Sequence, residues 1–594
     1  MSSKPHTFHI PVMGLAFTID TPIKVAPMGI NSVVSIMDDE LIEQMRVIHY
    51  PTDGRTYFPI PVIEDDFRAK RITDYLNLLH SIVTTRVNSL LDSSMTSGSA
   101  LTKYYSLLPS THPLVKKYGD FQSLTEQEQT SLEAELKKSH YTGTIDVNIM
   151  AKADKPAYTE NGEEMPEIFS NALSALRGYA TSKLQSALVI SAGYNPRLFQ
   201  YIPEFPDFFP DESGCIQKEI VLKVSDFRSA RIQGMQLAKK GIWVSEFRIE
   251  SGLNCGGHAF PTEGLLMGPI LEEFKQHRKQ LEEELKTTCV NAWNNLQLTT
   301  DNFPFSIRYT AQGGLGTAAE DVFLREYYNL DTTGWGSPFL LVPEATNVDK
   351  DTMEKLCNAT AEDYYLSDKS PLGVPFNNFR HTSSEENLNR RIEENRPGSP
   401  CYKKFLSSNK EFTTVPICVS SREYQFKKLK ELQSTNLSSA EYEQQAALIT
   451  EKECLCEGLS ASVFMKNEVP VPHNLHHVSI CPGPNLYFFD KVSSLQDMVD
   501  HIYGRKQLID KPRPHLFINE LKLYVDYLEK KCASLVILPK EQKYLDNFRD
   551  NLLSGIDYYL TISRNINFNT EEERLRFTQE MENYKHELSA VEVN

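Results

Sequence analysis

Two rhythms of apolar residues alternate along the first part of the chain. Short runs rich in β-branched residues predict strands at 23–36, 143–151, 185–193, 218–225, 242–249, 305–314 and 337–345. The first of these is interrupted at Pro27-Met28-Gly29. Between the runs, apolar residues fall at helical spacing over 167–183, 226–241, 268–293 and 317–328. A helical block at about 38–140 separates the first two predicted strands, and Ile72, Tyr75, Leu76, Leu79, Ile82 and Val83 mark the buried face of one of its helices. Strands alternating with helices predict a parallel α/β fold, and seven or eight of them over about 345 residues favour a closed TIM-type (β/α)8 barrel with a large helical insertion after the first strand.

Beyond residue 380 the texture changes. "HTSSEENLNRRIEENRPGSPC" is polar and broken by Pro and Gly, a boundary signal, and the remainder carries helical periodicity. The expected division is a barrel over 1–380 and a mainly helical, cysteine-containing domain over 381–594.

Composition narrows the classes. The chain has 594 residues, 40% hydrophobic and 24% charged, with a net charge of −17. Such a balance disfavours nucleic-acid or membrane-surface binding, both of which need a basic face. No apolar run reaches the roughly 18 residues of a membrane span, and the first residues lack the three-part pattern of a secretory leader. Ten cysteines in this length are too few for a disulfide scaffold, which points to a reducing, cytoplasmic setting.

In a parallel barrel the chemistry lies in loops at the C-terminal strand ends. Those ends carry Pro27 and Met28, then Asn148, then Lys223, then "SGLNCGGHAF" with Cys255, Gly256, Gly257 and His258. The next is "AQGGLGTAAED", where Gln312 precedes Gly313, Gly314 and Gly316, and the last is "GWGSPF", with Gly336 and Ser337. Glycines opening onto a helix N-terminus expose amides and a positive dipole end, which suits a phosphate, and equally serve as a plain strand–helix turn. A histidine beside two glycines suits proton transfer near neutral pH, and equally a packed turn. Cys255 is either a second reactive group or a filler of buried space.

Taken in order, these blocks resemble the nitronate monooxygenase family, the 2-nitropropane dioxygenase-like FMN barrels, which in turn resemble FMN-dependent enoyl-thioester reductases. "VAPMG", "IDVNIMA", "ESGLNCGGHAF", "IRYTAQGGLGTAAEDVFL" and "GWGSPFLLVPEA" carry the resemblance, over about half of residues 20–380. It implies FMN at the barrel mouth, with Gly313, Gly314, Gly316, Gly336 and Ser337 at the phosphate. Gln312 falls in the same FMN-binding set. Pro27, Met28 and Asn148 would lie along the flavin, Lys223 at its polar edge, and Gly256 and Gly257 would give it clearance. His258 falls at the family's catalytic base. The implied activity is oxidation of a small carbon acid with NAD(P)H or oxygen as redox partner; the alternatives are an enoyl-thioester reductase or a non-catalytic flavin- or phosphate-binding barrel. Cys255 departs from the family pattern.

Five cysteines cluster late in the chain, at Cys401, Cys418, Cys454, Cys456 and Cys481. Thiolates gathered in a reducing compartment can hold zinc or an iron–sulfur cluster, and His473, His476 and His477 are nearby candidate ligands. The spacing fits no named pattern, so ordinary buried cysteines are the competing reading. The C-terminal part is also a candidate surface for a protein partner.

Overall fold

The computed structural model describes residues 4–591 apart from 160, 192, 299–301, 475, 534–538 and 569. Eight strands close into a barrel: β1 (Phe8–Ile10), β2 (Asn31–Ser35), β3 (Ile145–Met150), β4 (Ser186–Ser191), β5 (Lys218–Val224), β6 (Val244–Glu250), β8 (Arg308–Gln312) and β9 (Thr332–Gly334). Every pairing is parallel, and β1 closes the ring by pairing with both β2 and β9, His9 standing opposite Asn31 and Gly334. The two-residue strand β7 (Gly257–His258) lies outside the barrel, in a small antiparallel sheet with β10 (Tyr364–Ser367) and β11 (Phe376–Phe379). The TIM-type class is therefore as the alternation indicated.

Two strands differ from the sequence reading. Residues 23–36 are not one strand. Pro22 opens a helix at Thr21–Val25, Pro27 opens a 3-10 turn at Ala26–Met28, and Gly29 ends it in the left-handed region at φ 77°. Only Asn31 onward is extended, as β2, while β1 is Phe8–Ile10. The helical insertion, from Asp39 to Lys138, thus follows the second strand rather than the first. At the other end, 337–345 is not a strand either. Pro338 seeds a 3-10 turn at Ser337–Leu341, and the last strand is Thr332–Gly334.

Inside the barrel, inward positions follow the period of two. Near the strands' N-terminal ends they are charged: Arg248 bonds Asp146 at 2.8 Å and Glu246 at 2.6 Å, and Arg308 bonds Glu246 and Glu219. Val33, Ala187, Val189 and Val221 form an apolar cluster beside them. The same parity carries Asn148, Lys223, Glu250 and Gln312 to the C-terminal mouth.

The insertion packs as its apolar stripe requires, since Ile72, Tyr75, Leu76, Leu79, Ile82 and Val83 are all buried. Gly178 allows its long helix, Phe67–Asp92, to approach; a Cβ there would stand 2.8 Å from the Ala69 oxygen. The apolar core continues from the barrel into the C-terminal helices through Phe517, Leu521, Phe548 and Tyr559. Helix Leu516–Cys532 is fastened to the barrel rim by Glu520, which accepts from Ser251 Oγ at 2.5 Å and from the Met267 amide.

Two histidines set an acid limit on this packing. His6 pairs with Tyr503 and the Met28 carbonyl, and His515 lies among Phe517, Phe568 and Phe577. Burial pushes both imidazoles down to about 4. The unfolded chain therefore binds more protons below its ordinary value of roughly 6.5, and stability falls as pH drops from there to about 4, by up to about 1.4 kcal/mol per pH unit for each histidine. Thermal unfolding should show a clearly lower midpoint near pH 5 than near pH 7; an unchanged midpoint would count against this.

Candidate active site at the barrel mouth

Two adjacent cavities lie at the C-terminal ends of the strands. The larger, of about 450 Å³, is lined by Asn148, Lys152, Lys223, Glu250, Cys255 and His258 among others. The smaller, of about 110 Å³, lies between the turns after β8 and β9 and the segment around Cys481. Both share Val12, Gly14, Lys223, Glu250, Cys255 and Gly256. Their combined size falls in the range of roughly 300–1,000 Å³ typical of small-molecule sites.

The smaller cavity has the features of a phosphate cradle. Gly313 and Gly314 take φ of 108° and 78°, a conformation that favours glycine. A Cβ on Gly314 would overlap the Asn254 amide group. Among the described residues, the backbone amides of Gly313, Gly314, Leu315, Gly336 and Ser337 donate to no protein acceptor. Gly316 is different. Its amide and that of Thr317 donate to Glu320 Oε2 at 2.9 and 3.2 Å, closing a capping box on helix Ala318–Tyr327. Gly316 lines neither cavity, so its expected place at a phosphate is corrected: a carboxylate from its own helix takes that amide.

Pro27 and Met28 are likewise corrected. They sit in the turn that precedes β2, at the opposite end of the barrel, where His140 meets the Pro27 carbonyl and His6 the Met28 carbonyl. The residues that do line the mouth from the first barrel unit are Pro11, Val12, Met13 and Gly14. "HIPVMGLAF" has the same Pro and Met-Gly as "VAPMG", and the apolar triplet Phe8–Ile10 before it was the available signal.

Asn148, Lys223, Gln312, Gly256, Gly257, Gly313, Gly314, Gly336 and Ser337 all line one cavity or both. Lys223 pairs with Glu250 at 2.8 Å, and Gln312 Nε2 donates to the same carboxylate at 2.9 Å. Gln312 Oε1 is buried without a partner. Glu250 was missed in the sequence, although Glu246, Arg248 and Glu250 at period two in β6 point it inward. Lys152 was missed as well. It lies over the Phe260 ring at 4.1 Å, and among the described residues it has no carboxylate partner.

β7 carries His258 to the cavity wall and is held there by pairing with Phe376 of β11. His258 Nε2 meets Ser370 Oγ at 2.7 Å, which fixes the ring. Burial, reinforced by the Lys152 charge, pushes the imidazole down to about 4, so it is neutral near pH 7. Cys255 is of the opposite kind. Burial, with the Glu250 carboxylate beside it, raises its thiol well above the ordinary range. It stays protonated and is poorly suited to act as a nucleophile.

The five late cysteines divide. Cys481 lies at the smaller cavity, with its carbonyl 2.6 Å from where a Cβ on Gly256 would stand. Cys401, Cys418, Cys454 and Cys456 gather elsewhere. The expected set of five does not come together as a metal-binding group. His473 stacks on Tyr402 and pairs with Glu40 at 3.0 Å. Among the described residues, no group of three or more His, Cys, Asp or Glu side chains is placed to hold a metal ion.

No protein-family model matches the chain, and no curated protein matches it. Seven solved chains do. One is a nitroalkane oxidase from Streptomyces ansochromogenes, at 10% identity and a TM-score of 0.26, covering 58% of this chain and 87% of that one. The barrel stands on its own strand pairings, since so loose a superposition carries no weight. Among the described residues no helix is long and apolar enough to cross a membrane.

Proposed function

We propose that this protein is a flavin-dependent oxidoreductase that holds FMN across the barrel mouth and acts on a small carbon acid. The observation that carries this reading is that the two cavities share a wall, with a cradle of free amides in one and His258 in the other. The residues fit the cofactor. The amides of Gly313, Gly314, Leu315, Gly336 and Ser337 would take the phosphate. Asn148 and Lys223 would stand beside the ring. Bound flavin would supply the electron transfer to or from the substrate.

The protein's own residues would handle the proton and the charge. With Nε2–H donating to Ser370 Oγ, Nδ1 of His258 would be the nitrogen left to accept a proton from carbon. A neutral imidazole is the competent form, and burial keeps it so. Lys152, without a carboxylate of its own, would face the anion that deprotonation leaves. A nitroalkane, whose α-proton is acidic, is a suitable test substrate.

Purified protein should show flavin absorption bands and release about one FMN per chain on denaturation. Protein that carries no flavin and binds none when titrated with FMN would defeat the proposal.

A further inference from the structure

The helix that follows β5 brings to the larger cavity a buried amide that the protein leaves unsatisfied. Helix Phe227–Ala238 packs through Ala230, Gly234 and Leu237, and the same buried face holds Gln233. Gln233 is only 7% exposed and lines the larger cavity. Among the described residues its side chain has no hydrogen-bond partner in the protein. A glutamine amide offers two donors and an acceptor, and burying them unpaired is costly. At this place only something in the cavity can pair with them. Ser229, one turn earlier on the same face, also lines the cavity, and its hydroxyl likewise makes no hydrogen bond to the protein. Asp226 caps the helix, its Oδ1 accepting from the Ser229 amide at 2.6 Å. Across from them, Thr262 Oγ1 lies 3.0 Å from Ser225 Oγ. That contact joins the loop after β5 to the segment that carries His258, so base and polar wall belong to one chamber.

We propose that Gln233, with Ser229 beside it, is the specificity subsite of this chamber and takes a carboxamide on the substrate. The inference rests on the flavin reading for the chemistry at His258, and it names the substrate class as a carbon acid that bears an amide. Two observations select the group. The glutamine side chain presents a carbonyl oxygen and an NH2 side by side, and a carboxamide matches them with two complementary hydrogen bonds. The charge nearby is negative. Asp226 lines the same cavity and has no ion-pair partner among the described residues, so a substrate carboxylate at Gln233 would meet a like charge. An apolar group there would leave the buried amide unpaired, and a site built to hydrogen-bond discriminates strongly against such an analogue.

The probes are 3-nitropropanamide, its apolar isostere 1-nitro-3-methylbutane and the corresponding carboxylate. Their binding to the full chain is read by ligand-observed NMR, with and without added FMN, which requires no turnover. The amide should bind about tenfold or more tightly than the isostere, the worth of one or two hydrogen bonds, and more tightly than the carboxylate. Gln233→Leu strands no protein group, so it should fold as the wild type does and lose the preference for the amide. With FMN bound, kcat/KM for the three compounds should follow the same order. Equal binding of amide and isostere to the wild type would overturn the subsite, as would tighter binding of the carboxylate, absence of amide binding, or a preference that survives in Gln233→Leu. A chain that shows the Gln233-dependent preference yet takes up no FMN would defeat the flavin reading and leave the subsite standing. A flavin-loaded chain that turns over all three compounds without preference would do the reverse. Should Gln233→Leu fail to fold, the wild-type comparison of amide with isostere decides alone.

Discussion

Arg513→Ala will lower the unfolding free energy by about 3–5 kcal/mol, the cost of stranding one partner of a buried ion pair. Arg513 Nη1 meets Glu320 Oε1 at 2.5 Å, and both side chains are only 4% exposed. Burial alone would raise the Glu320 carboxyl, but Arg513 leads the partners that bring it below its usual range. The same carboxylate accepts from the amides of Gly316, Thr317 and Leu516, so it joins the glycine-rich turn, the helix behind it and the C-terminal helix Leu516–Cys532. Arg513 Nη2 also donates to the Gly314 carbonyl at 2.5 Å. Losing the guanidinium thus leaves a buried charge and frees the turn proposed for the phosphate. Urea denaturation followed by circular dichroism measures the first effect, and FMN affinity the second. The double variant Arg513→Met, Glu320→Gln should recover part of the stability, because no lone charge remains. Lys491→Ala, which breaks an exposed pair with Asp510, should leave the midpoint where it was. A wild-type-like Arg513→Ala would show that the C-terminal region does not brace the mouth.

The sequence conveyed the barrel where its strands are long. β3, β4, β5, β6 and β8 have five to seven residues each, enough for β-branched runs to stand out between helices. The two strands beside the closure, Phe8–Ile10 and Thr332–Gly334, have three residues each and show no period. Longer apolar stretches nearby were mistaken for them, and in both cases a proline was already present to forbid a strand. The site was legible to the same degree. Glycines announce themselves, so the turn at Gly313-Gly314 was found. Which amides stay free was not legible, because Gly316 is claimed by Glu320 and Glu320 is held by Arg513, almost two hundred residues on. The meeting of Cys401, Cys418, Cys454 and Cys456 is similarly tertiary. Nothing local distinguishes Cys481 from the other four, yet it lines the smaller cavity, against Gly256.

His258→Ala will keep FMN bound and slow flavin reduction by a neutral nitroalkane by about 10²–10⁴-fold, the usual worth of a positioned general base. The side chain is not part of the amide cradle, so cofactor binding gives an independent check on folding. The decisive comparison is with the preformed nitronate of the same nitroalkane. That anion has already lost its proton and needs no base, so the variant should process it at close to the wild-type rate. An equal loss with both forms would show that His258 positions the substrate and transfers no proton. The pH profile makes a second demand. With the imidazole pushed down to about 4 by burial and by Lys152, the acid limb of kcat/KM should lie near that value rather than at histidine's ordinary roughly 6.5. Lys152 lowers the His258 value, so Lys152→Met should move the limb upward. The same change removes the charge that faces the developing anion, and the plateau rate with nitroalkane should fall as the limb rises. A limb that stays in place in Lys152→Met would assign the ionisation to another group.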